Sequence, residues 1–409
     1  MIELALVWHQ HQPDYRDEPG GDGRRRAALP WVRLHGTKDY LDMLERVTAS
    51  GVHATFNLAP ILLEQLQGYV DGALTDDWLD VARTPAESLT AEQRRFLHEE
   101  FFAADPRTMI APLPRYAELS NRRLRAERFT PEEDRDLQVL FHLAWIDPWL
   151  RTRDPRLVRL VEKGRRFTEE DKRILFEAAH DILAQVIPAH RAAAERGQVA
   201  LTTTPYAHPI LPLLVDPFSA RLAMPAVKLP ARWKGAVEDA AGQLKQAVAL
   251  HASLFGRPPE GVWPSEGSVS EAVVPLLAAA GAKWFASDEE VLRRSLPPGT
   301  VGAEADAAPY QPWRVRIQGA ECAAVFRDHR LSDLIGFTYA GMDAREAAEH
   351  FLAEVRRVGA RAAETLKDRP PLVTVILDGE NCWEGYPDDG HEFLTRLYAG
   401  LAEANVRAA

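Results

Sequence analysis

The sequence predicts an α/β protein: a TIM-like barrel of about seven strands that carries a helical insertion. Short apolar runs typical of buried strands alternate with amphipathic helices along most of the chain. Alternation of this kind gives parallel strands with right-handed crossovers, and seven to eight such units close into a barrel. The 409 residues are 46% hydrophobic and 27% charged, which is the composition of a folded chain with a sizeable core.

The predicted strands fall into two groups. Two come first, at 2–8 and 52–57. The stretch 78–196 then shows only helical periodicity, and its last helix starts at Thr168 with an acidic first turn. Strand and helix signals alternate again after that, with strands at 198–204, 261–264, 283–287, 323–326 and 372–377 and helices at 231–255, 270–280 and 343–367.

These signals divide the chain into three parts. Residues 1–75 and 197–388 form a discontinuous catalytic barrel, residues 76–196 a helical insertion, and residues 389–409 a short C-terminal helical part. Most long barrels carry such insertions in their loops, so this division fits one large domain with an appended helical unit.

Composition excludes several classes of protein. A net charge of −11 disfavours binding to nucleic acid. The two cysteines, Cys322 and Cys382, are too few for a disulfide framework or a Cys-rich zinc site. Histidine or charge interrupts the longest apolar runs, so no membrane span is expected. The N-terminus MIELALVWHQHQP lacks the features of a signal peptide and predicts a cytoplasmic protein, while nothing indicates an oligomeric state.

Polar and aromatic residues follow five of the predicted strands. In a TIM-like barrel the reaction takes place at the carboxyl ends of the strands, so these five groups share one face. They are WHQHQP at 8–13, TTTPYAHP at 202–209, WPSEG at 263–267, FRDH at 326–329 and DGENCWE at 378–384.

Two carboxylates, Glu266 and Asp328, directly follow apolar strands. A pair of carboxylates facing a pocket is the machinery of glycoside hydrolysis, in which one attacks the anomeric carbon and the other donates a proton to the leaving oxygen. Each could instead cap a following helix. Ser268 and Ser270 are good caps near Glu266, so Glu266 is not needed for that purpose. Asp333 lies five residues beyond Asp328 and competes with it for the role of acid/base.

The other strand-end residues suit a sugar ligand. Indole faces stack on pyranose rings, and neutral imidazoles and carboxylates bond to hydroxyls. Since His9 and His11 share one face of a strand, a zinc site formed with an Asp or Glu is the alternative, but no HExxH or Cys pair supports it. We therefore predict no metal and no cofactor. The candidate sugar-binding residues are Trp8, His9, His11, Gln12, His208, Trp263, His329, Asp378, Glu380 and Trp383.

Five segments, in order, resemble the signature regions of glycoside hydrolase family 57, and the resemblance runs from residue 1 to about residue 395. They are WHQHQP at 8–13, TTTPYAHPILPLL at 202–214, VWPSEGSVS at 262–270, FRDHRLSDLIGFTY at 326–339 and LDGENCWE at 377–384, and LPWVRLHGTKDY at 29–40 fits as well. The FRDHRLSD wording is more similar to the amylopullulanase-like branch than to branching enzymes.

The resemblance implies an incomplete (β/α)7 barrel and a retaining enzyme that acts on α-glucans or maltooligosaccharides. It implies Glu266 as nucleophile and Asp328 as general acid/base. It also implies that His9, His11, Asp378 and Trp383 line the donor subsites. The chain departs from the family pattern at Ala200, where members usually have Glu, and it ends soon after the fifth region.

We therefore predict a hydrolase of the amylase or amylopullulanase type that cleaves α-1,4 or α-1,6 bonds by double displacement. One alternative is a 4-α-glucanotransferase or a branching-type transglycosylase. A second is a non-catalytic α-glucan-binding homologue, which Ala200 keeps open. A third is a metal-dependent carbohydrate deacetylase that uses His9, His11 and an Asp.

Overall fold

Seven parallel strands form a closed barrel in the computed structural model, which describes residues 1–20, 23–230 and 235–409. In chain order the strands are β1 (Ile2–Gln10), β2 (Ala54–Leu58), β3 (Val199–Thr203), β4 (Gly261–Val262), β5 (Trp284–Asp288), β6 (Ala320–Arg327) and β7 (Leu372–Asp378). Each strand pairs with the next one along the chain. β7 pairs with β1, and β6 meets β7 at Arg327 and Thr374, which closes the ring. The predicted (β/α)7 barrel is confirmed.

Helices surround the barrel and fill the long connection between β2 and β3. The helices before β3 are Trp31–Lys38, Tyr40–Ser50, Pro60–Val70, Asp77–Arg83, Ala91–Glu100, Pro114–Leu124, Pro131–Ala144, Pro148–Arg153, Pro155–Lys163 and Glu169–Glu195. Those after it are Leu211–Val215, Ala220–Ala223, Val237–Phe255, Val274–Ala279, Glu289–Ser295, Ala303–Ala307, His329–Asp333, Ala344–Leu366 and His391–Glu403.

Two predicted helix starts agree with the caps in the structure, whereas the helix predicted at 270–280 is observed only as Val274–Ala279, without a side-chain cap. Thr168 caps Glu169–Glu195 through a capping box with Asp171. Asp343 caps the helix Ala344–Leu366. The helix predicted at 231–255 is observed as Val237–Phe255, and residues 231–234 of that prediction lie outside the described residues.

Four short strands of the described chain escaped the sequence prediction. Trp313–Ile317 forms a hairpin with β6, Arg25–Ala27 pairs with Leu74–Asp76, and Val406–Ala408 adds to β1. The last three have only three residues each, which is too short to show a period of two, and β6 begins three residues before the predicted 323.

The strand alternation places two kinds of side chain at the barrel wall. Val7, Ala286 and Ile376 pack together with Trp263 inside the barrel, and Val325 packs against them. The residues next to them in the chain, among them Trp8 and Phe326, point outward and pack under the surrounding helices. Because successive side chains of a strand alternate in direction, these inner residues fix which polar residues face the inside at the strand ends.

The helical connection has a hydrophobic core of its own, which includes Phe101, Phe141 and Trp145. That core also takes in Val32 and Tyr40, which precede residue 76. The division of the chain at residues 76, 197 and 389 stays a prediction. Among the described residues, no helix combines the length and the apolar character needed to cross a membrane.

A buried charged cluster joins the C-terminal helix, His391–Glu403, to the helix Tyr40–Ser50 and to the start of the helix Pro148–Arg153. Nε2 of His391 lies 2.7 Å from Asp147 and 3.3 Å from Asp42, and Arg46 pairs with Asp42 at 2.8 Å. Burial lowers the pKa of His391, but the hydrogen bonds and charges of Asp147 and Asp42 outweigh it and raise the pKa to about 9. The imidazolium therefore links His391–Glu403 to the helices that hold the two aspartates.

We expect this cluster to make stability depend on pH. A histidine whose pKa is raised on folding stabilises the protein fully below its unfolded pKa of about 6.5, and that stabilisation is lost as pH rises through the folded value. His391→Gln should cost about 2–3 kcal/mol near pH 7, since it leaves the buried Asp147 carboxylate without its cation and Asp42 with Arg46 alone, and less near pH 10. Urea denaturation at both pH values measures this, with the exposed His180→Gln as control. A loss that does not change between the two would contradict it.

Candidate active site

The carboxyl ends of the strands surround a cavity of about 340 Å³. Four of its polar residues are each placed two positions after an inner side chain: His9 after Val7, Asp288 after Ala286, Arg327 after Val325 and Asp378 after Ile376. The strand period of two thus turns the apolar interior of the barrel into a polar pocket at its mouth. The lining residues are His9, Trp263, Glu266, Asp288, Arg327, Ser332, Asp333, Gly336, Phe337, Ile376, Leu377, Asp378, Asn381 and Cys382.

Three histidines stack at one side of this cavity. Ring centroids of His9 and His208 are 4.9 Å apart, those of His11 and His208 are 4.1 Å apart, and those of His9 and His11 are 5.7 Å apart. Burial and then the neighbouring His208 lower the pKa of His9 to about 4 and that of His11 to about 3. Both rings are therefore neutral near pH 7.

Glu266 stands over this histidine cluster on a strained turn. It lies in the single turn Ser265–Gly267 after β4, with φ of +57°, and His208 has φ of +58°. Left-handed backbone at two non-glycine residues that face each other is costly, and such strain concentrates at functional sites. Oε1 of Glu266 lies 3.4 Å from Nε2 of His208, and this proximity is the main reason that the pKa of Glu266 is below its ordinary value.

An ion-paired group occupies the opposite wall. Arg327 pairs with Asp288 at 3.2 Å and with Asp333 at 2.8 Å. His329, more than half exposed, pairs with the same two carboxylates at 3.3 Å and 2.9 Å. Asp288 and Asp333 face the cavity, and both are held in contact with the Arg327 guanidinium and the His329 ring.

Asp378 reaches the cavity from the end of β7, where it pairs in register with His9. Its carboxylate accepts a hydrogen bond of 2.8 Å from the neutral amide of Asn381. Asp378 and Glu266 both act to raise the pKa of His9 electrostatically, so both carboxylates lie near that ring.

Asp328 lies outside the cavity wall. It is 4% exposed, caps the helix His329–Asp333 by accepting a 2.7 Å bond from the Leu331 amide, and accepts a 2.8 Å bond from Tyr310 Oη. Because side chains alternate along a strand, Asp328 lies on the same outer face as Phe326, whereas Arg327 between them points inward. Burial raises the pKa of Asp328. The helix-capping alternative considered for this residue is thus realised in the structure.

The two flanking tryptophans are core residues. Trp8 and Trp383 are 0% and 1% exposed and pack edge to face with ring centroids 5.9 Å apart. Trp8 points outward because it alternates with His9 on β1. Trp263, by contrast, lines the cavity as predicted.

Glu380 and Gln12 do not line the first cavity but stabilise the loop that follows β1. Oε1 of Glu380 accepts hydrogen bonds from the His11 amide at 3.0 Å and from Gln12 Nε2 at 3.4 Å. Burial raises the pKa of Glu380 well above its ordinary value. These contacts fix the backbone that carries His11. Gln12 and His11 also line a second cavity, of about 450 Å³, which shares Asn381 with the first.

Several residues of the site carried signals that the sequence interpretation did not use. Asp288 ends β5 one residue beyond the predicted strand end, and Asn57 ends the predicted second strand and accepts the hydrogen bond of His9. Arg327 comes one residue before Asp328, and its side chain points into the cavity. Phe337 is 83% exposed on the cavity rim, and neither hydrophobic periodicity nor a position at a strand end points to it in the sequence.

Comparison with known proteins supports this architecture. A GH57-type branching enzyme from Thermococcus kodakaraensis, in complex with glucose, matches with a TM-score of 0.58 at 16% identity, covering 100% of this chain and 69% of that chain. The branching enzyme from Pyrococcus horikoshii gives 0.57 at 14%, with coverage of 100% and 69%. An α-amylase from Thermotoga maritima gives 0.57 at 14%, with coverage of 100% and 73%. At these identities the likeness establishes the fold alone.

No curated protein matches the chain in sequence. The model of the family described as "Glycosyl hydrolase family 57", however, matches residues 5–408, which is nearly the whole chain. The five segments that carry the family resemblance all lie within that match. The protein therefore belongs to glycosyl hydrolase family 57.

Proposed function

We propose that this protein cleaves α-glucosidic bonds of glucans by double displacement, with Glu266 as nucleophile and Asp378 as general acid/base. The observation that carries the proposal is the placement of these two carboxylates in the lining of one cavity, both near His9. The histidine cluster favours an ionised Glu266, as a nucleophile requires.

The assignment of Asp378 departs from the sequence-based choice of Asp328 because of where the groups lie. A proton donor must reach the glycosidic oxygen, and Asp328 is buried behind the wall and bonded to Tyr310. Asp288 and Asp333 reach the cavity but are paired with Arg327 and His329. Asp378 has only the neutral Asn381 amide as a hydrogen-bond partner in the described chain, so no cation pairs with its carboxyl group there.

The proposed reaction has two steps. A carboxylate oxygen of Glu266 attacks C1 of a glucosyl unit while the bond from C1 to the glycosidic oxygen breaks, and that oxygen takes the proton of Asp378. In the second step Asp378 removes a proton from water, whose oxygen attacks C1 and releases Glu266. If the hydroxyl of another sugar replaces water, the same chemistry is transglycosylation.

The cavities suit a chain of sugars. The first, at about 340 Å³, falls in the usual range for ligand pockets and has Trp263 and the exposed Phe337 as aromatic surfaces. The second cavity shares Asn381 with the first and has Trp31 and Tyr15 in its lining. Two adjoining aromatic pockets favour an oligosaccharide over a single sugar. The branching enzymes and α-amylase of similar fold agree with this substrate class.

Product analysis tests the proposal. We expect the protein to shorten maltooligosaccharides and amylose, with the α anomer formed first, and we include pullulan to report cleavage of α-1,6 bonds. Longer products than the starting chain would assign transfer instead of hydrolysis. Binding of glucan with no product from any of the three would favour the non-catalytic homologue and reject the proposal.

A further inference from the structure

The histidine cluster beside Glu266 has unused bonding capacity. One ring nitrogen from each of His9, His11 and His208 lies within 4.8 Å of the corresponding nitrogens of the other two. Nε2 of His11 and both ring nitrogens of His208 are buried without a hydrogen bond to the described part of the chain. The His208 side chain is only 5% exposed. Buried polar atoms normally have partners, so nitrogens left without one in a pocket indicate a missing ligand.

The tautomer of His9 can be derived from its neighbour. Nδ2 of Asn57 donates to the Thr203 carbonyl at 2.9 Å and lies 2.9 Å from Thr202 Oγ1, which fixes the amide orientation. Oδ1 of Asn57 must then accept the 2.7 Å hydrogen bond from Nδ1–H of His9. The lone pair of His9 is therefore on Nε2. A second-shell oxygen that fixes the tautomer in this way is what metal-binding histidines usually have.

We propose that His9, His11 and His208 form a site for one divalent first-row transition ion such as Zn²⁺. Three imidazoles leave a fourth position open on a tetrahedral ion, and Glu266, 3.4 Å from His208, is the nearest carboxylate to fill it. A tetrahedral zinc ion with bonds of about 2.0–2.1 Å holds its ligand atoms about 3.4 Å apart, so small side-chain rotations would close the set.

The consequence for the reaction rests on the proposed function. An ion that takes Glu266 as a ligand withdraws electron density from its carboxylate and holds the carboxylate at the histidine cluster, away from C1, so ion binding and glycoside cleavage exclude each other. Nitrogen ligands select transition ions over Mg²⁺ and Ca²⁺, which prefer oxygen. The cluster would therefore make the enzyme sensitive to zinc and indifferent to magnesium.

Calorimetry of the metal-free protein with ZnCl₂ tests the site without any reference to activity. We expect one ion per chain in the unmodified protein and none with MgCl₂. His208→Ala and His11→Ala should each weaken binding by more than about 100-fold. Asn57→Ala should weaken it by about 10–100-fold, since it removes the oxygen that orients His9 but no metal ligand. Circular dichroism of each variant shows whether it is folded, and His180→Ala on the outer helix is the matched control.

The second group of metal-ligating side chains provides an internal check. Asp42, Asp147 and His391 also lie within 4.8 Å of one another, but Asp147 already accepts two backbone amides and Asp42 is paired with Arg46. Zinc binding that survives in His208→Ala and is lost in His391→Gln would overturn the inference. So would the absence of stoichiometric binding in the unmodified protein.

The last test measures how zinc affects glucan cleavage. We expect ZnCl₂ to inhibit glucan cleavage with the affinity that calorimetry measures, and EDTA to restore it. Zinc binding in a protein with no glycosidase activity would support the site and reject the proposed function. Full glucan turnover with zinc bound, or turnover that requires zinc, would overturn the claim that the ion blocks Glu266.

Discussion

Replacing Glu266 by glycine should abolish glucan cleavage without harming the fold. Loss of a nucleophile in other hydrolases costs about 10⁴-fold or more in kcat, and we expect a loss of that order on maltooligosaccharides. The backbone argues against unfolding as the cause. Glu266 has φ of +57°, a conformation that glycine adopts at no steric cost, so the variant should keep or raise the Tm.

Azide provides a positive readout for this variant. A small anion fits the space left by the missing carboxylate and attacks C1 from the same side, while Asp378 still protonates the leaving oxygen. The product should be a β-glucosyl azide, identified by NMR, because a single displacement inverts the α configuration. Glu260→Gln, on the surface beside Lys283 just before β4, is the control and should retain full activity. Unchanged turnover in Glu266→Gly would refute the assignment.

The barrel could be predicted from the sequence because its strands are apolar and separated by helices with clear caps. The alternation of strand and helix that predicts parallel pairing is a local property of the chain. The strand ends were located to within one or two residues, and this was enough to bring Glu266, His9, His208 and Asp378 to one face. The three-residue strands were missed because they add hydrogen bonds but no pattern.

The direction of individual side chains was harder to predict, because one residue of error reverses it. Trp8 and Asp328 both sit beside a cavity residue, His9 and Arg327, and both point to the opposite side of the barrel wall. Composition alone does not distinguish a tryptophan that stacks on sugar from one that fills a core. Counting the strand alternation from Val7 and Val325 shows which neighbouring side chains face inward. These two valines can be recognised as inner residues, however, only once the barrel is closed.

The pairing of charged side chains also depends on how the segment after β6 folds. Asp333 looked like a plausible proton donor from its spacing, and it does face the cavity. Its contact with Arg327 comes from the bend between β6 and the next helix, and its contact with His329 from one turn of that helix. Only the folded arrangement shows that Asp378 meets an amide where Asp333 meets an arginine and a histidine.

A comparison of Asp378→Asn with Asp328→Asn decides which carboxylate moves the proton. We expect Asp378→Asn to lower kcat/KM on maltooligosaccharides by about 10²–10⁴-fold, the usual contribution of general acid/base catalysis. Asp328→Asn should leave kcat unchanged, because the asparagine oxygen still caps the Leu331 amide and the side-chain NH2 donates to Tyr310 Oη, which can accept as well as donate. Steady-state kinetics on both variants measures the difference, and the opposite ranking would restore Asp328 as the catalytic residue.

The substrate can be chosen so that the role of Asp378 is seen step by step. α-Glucosyl fluoride needs no proton to release its leaving group, so Asp378→Asn should still form the glycosyl-enzyme on Glu266 at a substantial rate. Release by water should then be slow, because the base is missing. Azide needs no base and should rescue this second step, giving the α-glucosyl azide by two displacements. The α product here and the β product from Glu266→Gly would together assign the two carboxylates, since a purely structural defect at either position would yield neither azide.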